Sequence, residues 1–157
     1  MHQPPKSWAP LPLRLMLGFA FLYHGLPKLL SGHQQTVAMF QGIGLPAPAA
    51  MAWIIGLVEV LGGIALLLGA FTTITSIILI LHQLGAMYKV HLGAGYNFVH
   101  VTGMSPTGPI FGVPGYEVNL LFIAGLLTLA IGGAGAASVD GARHRAVAEG
   151  MAEASPR

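Results

Sequence analysis

Four long apolar runs limit what this chain can fold into. Each is about 20 residues long, the length of helix that crosses roughly 30 Å of hydrocarbon. They cover residues 10–30, 49–70, 72–92 and 116–137. Only 8% of the residues are charged, whereas soluble domains average about 25%. We therefore predict an all-α membrane protein, with a four-transmembrane-helix bundle as a single domain over residues 1–140 and a polar C-terminal tail over 141–157.

The segments between the runs differ in length and composition. The first connection contains "TVAMF", which we interpret as a short interfacial helix, and the second is a tight turn near "GAFTT". The third is rich in Gly and Pro and holds no Lys, Arg, Asp or Glu. Its aromatic residues suit the membrane interface, so we expect an ordered loop over one mouth of the bundle. The tail after Ala137 is expected to be frayed and solvated.

Basic residues near the helix ends set the expected orientation. Lys6 and Arg14 precede or open the first run, and Arg143 and Arg145 follow the fourth. The two long connections hold no Lys or Arg. By the positive-inside rule both termini should be cytoplasmic. The first run is too long for the core of a typical signal peptide, so we interpret it as a membrane helix.

Composition also excludes several kinds of function. The formal net charge of +2 is too small and scattered for a nucleic-acid surface. The chain has no cysteine, which rules out disulfides, thiolate metal sites and dithiol redox chemistry in it. It also has no phosphate-binding loop and no nucleophile elbow. A self-sufficient enzyme is therefore not predicted.

Charged residues inside the apolar runs are the candidates for function, because each costs about 2.5–3.5 kcal/mol at the centre of a membrane helix. Glu59, in "GLVEVLGG", and His82 fall near the middle of their runs. Arg14 lies about 9 Å from that level by helical rise, so these three form a predicted inner polar layer. The predicted outer layer, near the opposite helix ends, consists of His24, Lys28, Lys89, His91 and Glu117.

Each candidate also has a structural interpretation. Long basic side chains reach the headgroups from within a membrane helix, which would account for Arg14, Lys28 and Lys89. Glu59 is expected to form an ion pair with Arg14 or a hydrogen bond with His82. A carboxylate in the first turn of a helix, such as Glu117, is stabilised by the helix dipole.

The chemical interpretation is proton exchange. A carboxylate and an imidazole in a low-dielectric site exchange protons near neutral pH. A pocket between helices that combines such groups with aromatic rings would suit a quinone headgroup. His24, His82 and His91 also raise a haem or metal alternative, but their spacing is not specific for a metal and no haem-attachment motif is present. We predict no metal site and, as a cofactor, at most a quinone.

A series of short matches runs along the chain. It comprises "RLMLGFAFLYHGLPKL", "MFQGIGLPAP", "GLVEVLGGIALLLGAFT", "AMYKVHLG", "GYEVNLL" and "GAGAASVD". The series includes Arg14, Glu59, His91, Glu117 and Asp140, and spans residues 13–140 in order. In these residues the chain resembles the DoxX family of small four-helix bacterial membrane proteins.

The resemblance implies a role in quinone-linked redox, because the family name comes from a small subunit of a quinol oxidase and thiosulfate:quinone oxidoreductase system. We therefore expect an accessory subunit in the bacterial cytoplasmic membrane that lines a quinone or proton site. Its expected partners are lipid and other membrane subunits. Two alternatives stay open: a structural or assembly subunit without chemistry of its own, and a small proton-coupled transporter.

Overall fold

The computed structural model of the protein describes residues 7–153. Lys6, part of the orientation argument, and the end of the predicted tail lie outside this range. The helices are α1 Pro10–Leu29, α2 His33–Gly42, α3 Pro48–Leu68, α4 Thr72–Ala86, α5 Glu117–Gly132 and α6 Val139–Glu153, and the strands are β1 Val101–Ser105 and β2 Gly108–Phe111.

Helices α1, α3, α4 and α5 pack in a ring in which each contacts two neighbours, and α2 packs on α3 and α1. We call the side with the start of α1, the α3–α4 turn and the end of α5 the termini end. The opposite side, with the start of α3 and the hairpin, is the loop end. The hairpin thus marks the loop end of the ring, and α6 follows the helix that finishes at the termini end.

Glycines set the close approach of α1 and α3. A Cβ on Gly18 would lie 2.9 Å from the backbone oxygen of Gly63, and one on Gly25 would lie 2.8 Å from the Cβ of Glu59. Small residues let membrane helices pack backbone to backbone. These contacts determine which residues of α1 face which residues of α3.

The α3–α4 turn depends on glycine for a second reason. Gly69 has φ +63, in the left-handed region that side chains disfavour. A Cβ there would lie 2.5 Å from the guanidinium carbon of Arg14 and 2.5 Å from the Cβ of Ser138. The turn is therefore held tightly between α1 and the segment after α5.

The apolar core occupies the half of the bundle nearer the termini end. It consists of Leu17, Phe21, Leu66, Leu79, Leu126 and Leu129. Toward the loop end α4 continues as a π-helix over Met87–His91 and a 3₁₀ turn over Leu92–Ala94, neither of which has a buried residue. The two halves of the ring are therefore packed differently.

The third connection is not purely irregular, so the all-α prediction was wrong in this part of the chain. Strands β1 and β2 pair antiparallel, with a register irregularity between Val101 and Gly103. The apolar-polar alternation there is short and broken by Gly and Pro, which obscures a strand pattern. Below the strands, backbone N–H groups of Gly115 and Tyr116 donate to the oxygens of Asn97 and Gly95.

Two other segments differ from expectation, and a third agrees with it. The fourth apolar run ends as a helix at Gly132 rather than at 137, because Gly133 adopts a positive φ of 74. The tail predicted to fray is helical as α6, although its side chains are exposed from Ala142 to Met151. The short helix predicted around "TVAMF" is present as α2, and its position at the membrane interface stays a prediction.

Two of the described helices are long and apolar enough to cross a membrane by length and composition: Pro48–Leu68 and the extended α4 over Thr72–Ala94. Helix α5 is apolar but shorter. The four crossings and the side on which the termini lie stay predictions.

Candidate functional site

Glu59 is the centre of a buried polar network. It lies on α3, about 16 Å along the helix from Pro48, and is 5% exposed. Its Oε2 accepts a hydrogen bond from Lys28 Nζ at 2.6 Å, and its Oε1 lies 2.9 Å from His82 Nε2. The carboxylate therefore has a partner on each oxygen, one from α1 and one from α4.

Lys28 reaches Glu59 because the facing helix, α3, leaves room for its side chain. It lies in the last turn of α1, opposite Gly56 of α3, where an added Cβ would lie 3.1 Å from Lys28 Cβ. Its Nζ also donates to the backbone oxygen of His24 at 2.6 Å. The ammonium group thus turns into the bundle instead of extending to the headgroups.

His82 approaches Glu59 from the other side, on α4. Its ring meets Phe21 edge to face at 6.2 Å between centroids, and Phe21 meets Phe122 of α5 at 5.4 Å. These aromatic rings lie between the network and the leucine core. We name Lys28, Glu59 and His82 the buried triad.

The triad can hold and exchange a proton. It places a carboxylate between an ammonium and an imidazole, and its side chains are 16%, 6% and 13% exposed in the order Lys28, Glu59, His82. A carboxylate and an imidazole within hydrogen-bond distance can share a proton. The same contacts also hold three helices together, so geometry alone permits a structural role too.

Arg14 does not belong to the triad, contrary to the expected pairing with Glu59. Its guanidinium donates to four backbone oxygens at 2.7–2.9 Å, those of Leu66, Leu67, Ala134 and Ala137. Nor does it extend to the headgroups, since it is only 1% exposed. These carbonyls lie at the end of α3 and after the end of α5, where a cation is favoured. Arg14 is therefore a clamp on two helix ends.

Asp140 completes this clamp. Its carboxylate accepts from the backbone N–H groups of Phe71 and Thr72 at 2.9 Å each, and its own N–H donates to the oxygen of Gly69. Partial burial raises the pKa of Asp140, but the Thr72 and Phe71 hydrogen bonds and the charge of Arg143 outweigh it, so the pKa lies below its usual value. Asp140 thereby caps the start of α4.

The predicted outer layer is not one cluster. His24 and Lys89 are exposed, and the nearest aromatic partner of Lys89 is its neighbour Tyr88. His91 Nδ1 lies 2.8 Å from the oxygen of Pro114. Glu117 Oε2 accepts from the N–H of Phe98. His91 and Glu117 thus fasten the loop end, whereas Lys28 joins Glu59.

One polar contact was missed from the sequence. Asn119 of α5 is buried, and its Nδ2 donates to Gln83 Oε1 on α4 at 2.7 Å. The only signal was the position of Gln83, directly after His82. The pair links α4 and α5 on the loop-end side of the triad.

Two open cavities lie outside the triad. A groove of about 510 Å³ at the loop end is lined by Asn97, Phe98, Val99, Glu117, Val118 and Leu121. A second, of about 330 Å³, lies at the termini end beside Thr72, Gly133 and Asp140. Among residues 7–153 no group of three His, Asp or Glu is placed to hold a metal ion.

Apolar helices around a buried ionic network define a helical membrane protein. A family model described as DoxX matches residues 9–92. The chain belongs to the DoxX family, and the part of the chain that matches contains the whole triad and Arg14.

The relatives support membrane residence. An "Uncharacterized membrane protein" of Mycobacterium tuberculosis is 30% identical over 135 residues, 82% of this chain and 77% of that protein. "Inner membrane protein YphA" of Escherichia coli is 30% identical over 127 residues, covering 81% and 84%. The chain is accordingly a membrane protein in contact with the lipid bilayer.

A third relative carries a functional name. "Putative oxidoreductase CatD" of Bacillus subtilis is 36% identical over 84 residues, 54% of this chain. The match spans only 60% of that relative's length. No solved structure matches the chain significantly.

Proposed function

We propose that this protein is an accessory subunit of a quinone-linked redox complex in the bacterial inner membrane, in which the buried triad is a proton site. Helices α1, α3, α4 and α5 each cross the membrane, and both termini are cytoplasmic. The redox centre belongs to a partner subunit.

The observation that carries the proposal is the triad itself. A charged residue within a membrane helix is by default a functional hypothesis, because it is expensive to keep there. Glu59 is placed between Lys28 and His82 rather than beside the helix-end clamp of Arg14. The name of the CatD relative supports redox as the context.

The residues that fit a quinone ring line the loop-end groove, not the triad. Phe98 offers an aromatic face, Asn97 an amide and Glu117 a carboxylate oxygen, around about 510 Å³, within the range of small-molecule sites. Neither described cavity is lined by a residue of the triad. A bound quinone would supply the electron acceptor, and the triad's own part is to hold a proton.

The first test is to extract the native protein gently and record the composition and visible spectrum of the complex in which it travels. Haem- or flavin-bearing subunits together with bound quinone are the expected result. A colourless protein, alone or with partners that carry no redox group, would contradict the proposal.

Variants then separate chemistry from assembly. Glu59→Gln keeps the shape of the side chain and removes its charge, and we expect it to assemble normally but to lose quinone-linked electron flow. The matched control is Glu149→Gln, the same change on the exposed face of α6, which should alter neither property.

A structural role is the second candidate, favoured by the way the triad ties α1, α3 and α4 together. The contrary result is that Glu59→Gln reduces the amount of complex while the complex that forms keeps its electron flow per mole. In that case the structural role is correct and the proton role is wrong. Proton flux through liposomes holding this chain alone would instead indicate the transporter.

A further inference from the structure

The two sides of the triad differ in what lies next to it. Toward the termini end the leucines and Phe21 of the core fill the bundle. Toward the loop end, no residue of α4 from His82 to His91 is buried. The triad is therefore bounded by a packed apolar core on one side and, on the other, by a stretch of α4 that the neighbouring helices leave uncovered.

Among residues 7–153, a polar side-chain pair lies close to the triad on its loop-end side. Gln83 follows His82 directly and is bonded to Asn119. Asn119 lies two residues after Glu117, at the start of α5. On the closed side Leu79, which is 0% exposed, lies one helical turn from His82. The hydroxyl of Ser76 is buried one turn further on, behind that leucine.

The titratable groups that face Glu59 are few. Helix α1 contributes Lys28 and His24, and α4 contributes His82. Helix α2 places His33 against the backbone oxygen of Lys28, on the loop-end side. In the part of the chain that the structure describes, helix α5 contributes no titratable group there; its amide of Asn119 is bonded to Gln83, the residue after His82. Lys28 and His33 thus lie on the loop-end side of Glu59, whereas His24 lies at about its level, beside Gly25.

We propose that the triad exchanges protons with the loop end alone, through water hydrogen-bonded to the amides of Gln83 and Asn119, and that the leucine core closes it toward the termini end. A proton from loop-end water binds to Glu59 or His82 and returns by the same route. The isolated chain therefore takes up protons without carrying them across the membrane. This inference rests on the proposed proton role of the triad.

The test uses the full chain in liposomes, sorted into two populations by capturing one terminus from outside. Infrared spectroscopy follows the carboxyl band of Glu59, assigned by its loss in Glu59→Gln, while the external pH is stepped between about pH 8 and pH 5. We expect a prompt response when the loop end faces outward and only a slow, leak-limited response when the termini end does.

A variant of the route sharpens the test. Asn119→Leu should slow the response by about tenfold or more without changing its final amplitude. Thr128→Leu, on an exposed position of α5, is the matched control and should respond like the natural protein. Gln83→Leu serves if Asn119→Leu does not fold.

Three results would overturn the inference: equal responses from both sides, a prompt response only from the termini end, or a band that never responds. Steady proton flux through the isolated chain would do the same. Equal responses, or a response only from the termini end, would overturn the one-sided route and leave the proton role of the triad standing, whereas a band that never responds would overturn both. None of these results bears on whether the native protein travels with redox subunits.

Discussion

The two halves of the bundle hold their charged residues in opposite ways. At the termini end Arg14 is held by four backbone oxygens and Asp140 by backbone N–H groups. At the middle, facing the loop end, Lys28, Glu59 and His82 bond mainly to one another. Backbone partners fix a charge in one state, whereas titratable partners can exchange a proton. The difference teaches that a buried charge by itself does not mark a chemical site.

The strongest test of this contrast is to remove the side chain of Arg14 that holds the two helix ends. Arg14→Met should lower the free energy of unfolding by about 3 kcal/mol or more, because four backbone oxygens lose their donor, two of them in buried bonds. Unfolding by denaturant in detergent micelles measures it. Arg145→Met, at an exposed position, should change stability little. A small loss for Arg14→Met would mean that the clamp contributes no more than a surface contact.

Glycine substitutions compare the packing of the two ends. Gly69→Ala should cost about 2 kcal/mol, since it places a side chain in the left-handed region and against Arg14. Gly85→Ala in α4 meets open space and should be neutral or slightly stabilising, because alanine is the better helix former. Thermal unfolding of both variants checks this, and equal losses would contradict the contrast in packing.

A double-mutant cycle sharpens the account of the triad. Lys28→Met leaves Glu59 short of one partner and should cost about 1–3 kcal/mol. Adding Glu59→Gln should recover part of that loss, since the unpaired charge is then gone. The cycle isolates the coupling between the two residues. Additive effects would mean that the 2.6 Å contact contributes little to stability.

The smallest predicted effect is the pH dependence from Asp140. Its pKa is held below the ordinary 3.8, so its contribution to stability is present above that value and is lost as pH falls through the lower, folded-state pKa. Asp140→Asn should cost about 1 kcal/mol near neutral pH, as for a lost helix cap, and flatten the acid limb of stability. An unchanged acid limb would assign that loss to other carboxylates.

The helices could be predicted largely from the sequence, because apolar runs of membrane-spanning length have few other stable forms. The starts of α1 and α4 match the expected boundaries, and α3 is displaced by one residue at its start. The hairpin could not be predicted, because Gly and Pro interrupt both strands. The early end of α5 follows from the positive φ at Gly133.

For the site, the sequence predicted only how deep in the membrane each candidate residue lies. Glu59 and His82 were expected near one level, and the structure brings them together. Arg14 and Lys28 were assigned to the wrong groups, because a long basic side chain can reach either way along a helix. Rise per residue gives the height of a Cα atom but not the direction in which the side chain extends.

The membrane class, the approximate helices and the identity of the costly residues follow from the sequence, since they depend on local hydropathy alone. The pairing of the charged residues depends on the register between α1 and α3. That register is set by the close approach of the two helices at Gly18, Gly25 and Gly56, between segments distant along the chain. Close packing decides between arrangements that hydropathy leaves equal, and it places Lys28 rather than Arg14 beside Glu59.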